Sequence, residues 1–203
     1  MRVLVTGGVR SGKSRHAESL LTGPVTYLAP GPVHDDADWS ARIAAHRARR
    51  PADWTTVESH DLVGVLARTD GHVLVDCLGT RLSAVLDERE LWDAAADEIT
   101  GVIARMAEDA ADVLGVRDQG EDTVLVTNEV GPGVVPEHRS GRLFRDLLGL
   151  VNQRIAEACD EVHLVVAGRV SVYDPAEHST RPGGDVCLRR RASRRLARRG
   201  RRP

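Results

Sequence analysis

The sequence predicts a three-layer α/β domain built on a mostly parallel sheet, and three observations lead there. Short valine-rich runs alternate with segments of helical period, the order expected of βαβ units. Each run is apolar throughout instead of alternating with polar residues, as in strands buried on both faces. The 203 residues, 41% of them hydrophobic, suffice for one substantial core and exclude a large multidomain machine.

The first strand is Val3 to Val5, followed by a glycine-rich turn and a helix over 14–21. A second strand, Val25 to Leu28, leads to a helix over 36–50. Residues 60–68 read as a helix, Val73 to Val75 as the third strand, and 88–114 as one long helix. Val124 to Val126 is the fourth strand. In the helix over 140–158, Leu143, Leu147, Val151 and Ile155 recur every four residues and form a stripe that can face the sheet. Val162 to Val166 completes the strands. The segment from Glu129 to Arg139 directly follows a strand, and in open α/β sheets such loops line the ligand crevice.

After Gly168 the pattern stops. Ser171 to Gly184 is polar and rich in proline and glycine, and Arg189 to Pro203 holds nine arginines and no acid. The expected organisation is therefore one domain over 1–168 and an arginine-rich tail over 169–203, disordered and solvated, with a phosphate-binding arm for nucleic acid the lesser alternative. Internal repeats are absent.

Composition narrows the function. The net charge of -2 divides into -10 over residues 1–168 and +8 over 169–203. No window of 18 apolar residues and no hydrophobic leader occur, so cytoplasmic residence is expected. Cys77, Cys159 and Cys187 are far apart with no CxxC pair, which argues against zinc and disulfides. With 3% aromatic residues, binding of single-stranded nucleic acid by base stacking has little material. Of 28 basic residues, 27 are arginine, which leaves Lys13 as the single lysine.

That lysine closes the run Gly7-Gly8-Val9-Arg10-Ser11-Gly12-Lys13-Ser14, which matches GxxxxGK[ST] between a strand and a helix. Its glycines let successive N–H groups turn inward, and the positive end of the next helix adds to the attraction for phosphate. Lys13 is placed to bridge the β and γ phosphates, and the Ser14 hydroxyl to bind Mg²⁺. The fold expected is thus a P-loop (RecA-like) NTPase domain. His72-Val73-Leu74-Val75-Asp76 is an apolar run closed by a carboxylate, so Asp76 is the second candidate metal contact. His46 lies in Arg42-Ile43-Ala44-Ala45-His46-Arg47-Ala48-Arg49-Arg50-Pro51, with Arg42, Arg49 and Arg50 three or four residues away on one helical face. Neutral imidazole has a free nitrogen able to attack phosphorus and form a phosphoramidate. On local sequence alone an incidental surface histidine fits as well.

Leu4 through Ser14, the Arg42-Ile43-x-x-His46 segment ending at Arg50-Pro51, and Val126-Thr127-Asn128-Glu129-Val130-Gly131 together resemble the bifunctional adenosylcobinamide kinase/adenosylcobinamide-phosphate guanylyltransferase family. Val135-Pro136-Glu137, Phe144-Arg145-Asp146 and Asn152-Gln153 continue the likeness, which spans residues 2–168. The resemblance implies phosphorylation of the aminopropanol hydroxyl of adenosylcobinamide by a nucleoside triphosphate, GTP or ATP. It then implies transfer of GMP from GTP, through a guanylyl group on His46, to adenosylcobinamide phosphate. It implies catalytic roles for His46 and Lys13, and nucleotide contacts at Thr6, Gly7, Gly8, Val9, Arg10, Ser11, Gly12, Lys13, Ser14, Arg47, Arg49, Arg50 and Glu58. It further implies Mg²⁺ at Ser14 and Asp76, a substrate loop at Asn128 and Glu129, and a homotrimer. The chain departs from the family at Ala29-Pro30, where Pro30 removes a hydroxyl and an N–H; at Trp39, where methionine is usual; at Asp76, where some relatives have glutamate; and in the tail, which has no counterpart. Two alternatives stand beside this reading: a P-loop small-molecule kinase in which His46 is incidental, and a P-loop regulatory or nucleic-acid-binding module.

Overall fold

The computed structural model describes residues 1–31, 50–117 and 120–174. Its strands are β1 (Arg2–Gly7), β2 (Val25–Ala29), β3 (Thr55–Glu58), β4 (His72–Asp76), β5 (Thr123–Val126), β6 (Glu161–Val166) and β7 (Arg169–Tyr173). Its helices are α1 (Lys13–Glu18), α2 (Leu62–Arg68), α3 (Leu78–Glu88), α4 (Ala96–Val116) and α5 (Arg139–Glu157), with a 3-10 turn at Leu91–Asp93. The strands form one sheet in the order β3-β2-β4-β5-β1-β6-β7. All neighbours pair in parallel except β6 and β7.

The three-layer architecture follows from how the strands divide their side chains. Val73 and Val75 of β4 enter a core cluster with α2, α3, α4 and α5, while Leu74 between them enters a second cluster with Ala17 and Leu21 at α1. A strand buried on both faces has no polar alternation to show, which is why these runs read as continuous apolar sequence. The expected stripe on α5 is present: Leu147, Val151 and Ile155 are buried with Leu148, and Leu143 packs against them.

Four elements differ from the sequence reading. The helix expected over 88–114 begins only at Ala96, because Glu90 takes a left-handed φ of 52° and the chain passes through the 3-10 turn before α4 begins. Trp92 Nε1 fixes that turn by donating to Asp87 Oδ1 at 2.6 Å. The helix α3, which the sequence reading did not anticipate, starts two residues after β4, where Leu78-Gly79-Thr80 reads as a turn. β3 was missed because Thr55–Glu58 is a polar, mostly exposed strand. β7 lies beyond the expected boundary at 168: Ala167 and Gly168, with φ of 48° and 73°, form a tight two-residue hairpin that returns Arg169–Tyr173 along β6. The helix expected over 36–50 falls outside the described residues except for its last position, and residues 175–203 of the expected tail also fall outside them.

Candidate active site

The carboxyl ends of β1, β4 and β5 lie side by side, and the sequence motifs sit there. β1 ends at Gly7, where substitution is sterically barred: a Cβ would lie 2.4 Å from the Val165 carbonyl oxygen and 2.7 Å from Ser11 Oγ. The loop then turns through Arg10 at φ 55° and Gly12 at φ 97° into α1, which starts at Lys13. Its far side is braced by the β6–β7 hairpin, since Gly168 N–H donates to the Ser11 carbonyl at 2.8 Å. Lys13 Nζ donates to the Gly8 carbonyl at 3.2 Å, which folds the ammonium back over the loop. Thr6 Oγ1 and Ser11 Oγ are buried and meet no hydrogen-bond partner among the described residues. Buried hydroxyls without partners are uncommon, and one at the end of β1 with another in the loop that follows suits an anionic ligand.

At the end of β4, Asp76 Oδ2 accepts from the Tyr27 hydroxyl at 3.0 Å. Burial, with the Asp76 carboxylate second, raises the Tyr27 pKa, so the phenol stays protonated and a donor. The Arg50 guanidinium lies over the Tyr27 ring, 3.2 Å from its centroid, and donates to Thr56 Oγ1 at 2.9 Å. The predicted nucleotide contact Arg50 is thereby tied through Tyr27 to the predicted metal contact Asp76. Cys77 caps α3, and burial pushes its thiol pKa up, which keeps it neutral beside Asp76. Lys13 opposes that shift, so its charge is felt at this junction.

Between these two lies the end of β5. Thr127 N–H donates to the Val5 carbonyl at 2.9 Å and Glu129 N–H to the Gly7 carbonyl at 3.1 Å, so the loop carrying Asn128 and Glu129 is laced to the phosphate loop. The arginines of α5 hold its continuation by main-chain carbonyls: Arg145 those of Gly131 and Gly133, Arg142 those of Pro136 and Glu137. Arg139 instead reaches the carbonyls of Trp92 and Ala94.

The structure thus gathers Thr6, Gly7, Gly8, Val9, Arg10, Ser11, Gly12, Lys13, Ser14, Asp76, Asn128 and Glu129 at one edge of the sheet. Glu58 ends β3 at the same edge, in register with Ala29. His46, Arg47 and Arg49, together with Arg42 and Trp39, lie outside the described residues. Asp76 and Ser14 are hard oxygen donors of the kind Mg²⁺ uses. No cluster of three or more His, Cys, Asp or Glu suited to a metal occurs among the described residues.

Sequence reasoning missed Tyr27, and it missed a chain behind α1 in which His163 bridges Glu161 Oε2 and His16 Nε2, 2.8 Å on each side. A tyrosine in an apolar strand and a histidine in a valine run carry no motif. Only the topology shows that they face the end of β4 and α1.

The family model described as cobinamide kinase / cobinamide phosphate guanyltransferase matches residues 3–172. A bifunctional adenosylcobalamin biosynthesis protein CobU of Salmonella typhimurium is 43% identical over 186 residues, covering 83% of this chain and 97% of its own. The CobU protein of Escherichia coli is 42% identical with the same coverage, and the CobP protein of Pseudomonas aeruginosa is 35% identical over 83% of this chain and 94% of its own. An ATPase from the type III secretion system of pathogenic bacteria superposes with a TM-score of 0.52 at 10% identity, over 80% of this chain and half of that one, a likeness of fold alone.

Proposed function

The chain belongs to the cobinamide kinase / cobinamide phosphate guanyltransferase family, and from that membership we propose how its residues divide two activities. It is a bifunctional transferase of adenosylcobalamin biosynthesis that phosphorylates cobinamide and transfers a guanylyl group to the cobinamide phosphate. The observation that carries the residue assignment is the phosphate loop standing beside Asp76 and the Asn128-Glu129 segment at one edge of the sheet.

In the kinase step, loop N–H groups and Lys13 hold the β and γ phosphates of GTP or ATP, and the attacking hydroxyl of adenosylcobinamide lies in line with the γ phosphorus. Phosphoryl transfer is governed by positioning and charge neutralisation, which this site is built to supply. Ser14 and Asp76 are the residues that would hold Mg²⁺, whose chemistry is to neutralise charge developing on the phosphate oxygens. Tyr27 holds the Asp76 carboxylate in place. Thr6, Gly7, Gly8, Val9, Arg10, Ser11 and Gly12 complete the nucleotide contacts, and Asn128 and Glu129 face the acceptor.

The guanylyl step needs a nucleophile, which the phosphate loop does not contain. His46 fills that role: an imidazole nitrogen bonds to the α phosphorus of GTP, the α–β phosphoanhydride breaks, and pyrophosphate leaves. A phosphate oxygen of adenosylcobinamide phosphate then attacks the same phosphorus, the P–N bond breaks, and adenosylcobinamide-GDP forms with the imidazole restored. Arg47, Arg49, Arg50 and Glu58 contact this nucleotide. The assembly is a homotrimer that acts in the cytoplasm. No helix among the described residues is long and apolar enough to cross a membrane, and nucleic acid is not a partner.

The test is product analysis with adenosylcobinamide, GTP and Mg²⁺. The parent chain yields adenosylcobinamide-GDP, His46→Ala stops at the phosphate, and Lys13→Met forms neither product but converts added adenosylcobinamide phosphate. A His46→Ala chain that still makes adenosylcobinamide-GDP contradicts the assignment.

A further inference from the structure

Asn152 on α5 has both ends of its amide engaged. Its Oδ1 accepts from the Thr127 hydroxyl at 2.6 Å, and its Nδ2 donates to the Asn128 carbonyl at 3.1 Å. Thr127 is fully buried, the first residue past β5. The three residues that follow β5 are pinned from three sides. Main-chain bonds tie Thr127 to Val5 and Glu129 to Gly7. The Asn128 amide lies 3.9 Å from Cys77 Sγ and so close to Gly79 that a Cβ there would meet it at 3.0 Å. On the third side stands Asn152.

We propose that Asn152 is a positioning residue for phosphoryl transfer, fixing Asn128 and Glu129 between the phosphate loop and Asp76 through its two hydrogen bonds to the end of β5. The inference rests on the reading of Asn128 and Glu129 as part of the kinase site. The chemistry demands asparagine: one group must accept from a hydroxyl while the other donates to a carbonyl. Aspartate supplies acceptors only and sets a carboxylate against the Asn128 carbonyl. A buried hydroxyl or carbonyl that loses its partner keeps its desolvation cost, so the strand end shifts to recover one. Displacements of about 1 Å at a reacting centre cost on the order of 100-fold in rate.

The experiment compares full-length Asn152→Asp, Thr127→Val and Thr127→Ser in the kinase assay at 25 °C, with melting temperatures. Thr127→Val is close to isosteric and removes only the hydroxyl that Asn152 receives, while Thr127→Ser keeps it. Asn152→Asp and Thr127→Val are expected to lower kcat roughly tenfold or more while the nucleotide KM moves about twofold or less, and Thr127→Ser to retain parental kcat. A lower melting temperature with unchanged kcat means a structural role only and overturns the proposal. If Asn152→Asp does not fold, the Thr127→Val and Thr127→Ser pair decides by the same criterion. Asn128→Ala and Glu129→Gln separate the two levels. If they lose kcat while Asn152→Asp and Thr127→Val keep it, the positioning inference alone falls. If they keep kcat, the reading beneath it fails, and the inference with it.

Discussion

Gly7 and Lys13 show what single residues contribute to this site. The atoms that a Cβ at Gly7 would strike belong to a strand backbone and to the loop's own serine. Relief therefore requires the loop to leave β6. Gly7→Ala is expected to destabilise the fold by about 1–3 kcal/mol and to weaken nucleotide binding, both readable in thermal melts with and without GTP; an unshifted melt would contradict the packing. Lys13 instead touches a carbonyl on its own loop. Its replacement by methionine should leave the melting temperature near parental and lower kinase kcat/KM on the order of 10²-fold or more, measured on adenosylcobinamide. Such residues were legible because GxxxxGK[ST] is a pattern with one physical use. Tyr27, Thr127 and Asn152 were not legible as site residues, because their partners lie 49, 25 and 24 positions away along the chain and only strand order brings them close.

At the scale of elements, the contact between α1 and β6 makes a pH-dependent prediction. Burial, and after it the neighbouring His163, hold the His16 imidazole below its ordinary pKa. A group that is a weaker base folded than unfolded contributes full stability above the unfolded value of about 6.5. As pH falls through that value the unfolded chain takes up the proton first, and stability declines until the lower folded value is passed. Melting temperatures from about pH 8 to pH 5 are expected to fall more steeply for the parent than for His16→Leu. Parallel curves would remove His16 from the acid response. The β6–β7 hairpin is the element that sequence reading left in the tail. Its signal was available in Val170-Ser171-Val172, an alternation after a glycine, but the polar run that follows masked it. The start of α4 was hidden for a different reason: Leu91 and Trp92 keep the apolar spacing of a helix while the Glu90 backbone leaves it.

For the whole molecule, the parallel sheet fixes where chemistry occurs, since every strand that carries a motif ends at the same edge. The layer order was legible because buried parallel strands read as continuous apolar runs and amphipathic helices as a spaced apolar stripe. β7 sets where the tail can be cut: a deletion from residue 171 would unpair Ser171, Val172 and Tyr173 from β6. Truncation after Asp174 is expected to leave both turnovers near parental, whereas a nucleic-acid-binding module would lose its partner. The central claim is that one chain performs phosphoryl transfer at the phosphate loop and guanylyl transfer through His46. It is tested most directly by incubating the protein with Mg²⁺ and GTP labelled at the α phosphate, denaturing it, and examining the label. The account predicts acid-labile, alkali-stable label on the parent and none on folded His46→Ala; a folded parent that takes up no label, or a variant that takes it up equally, would contradict it.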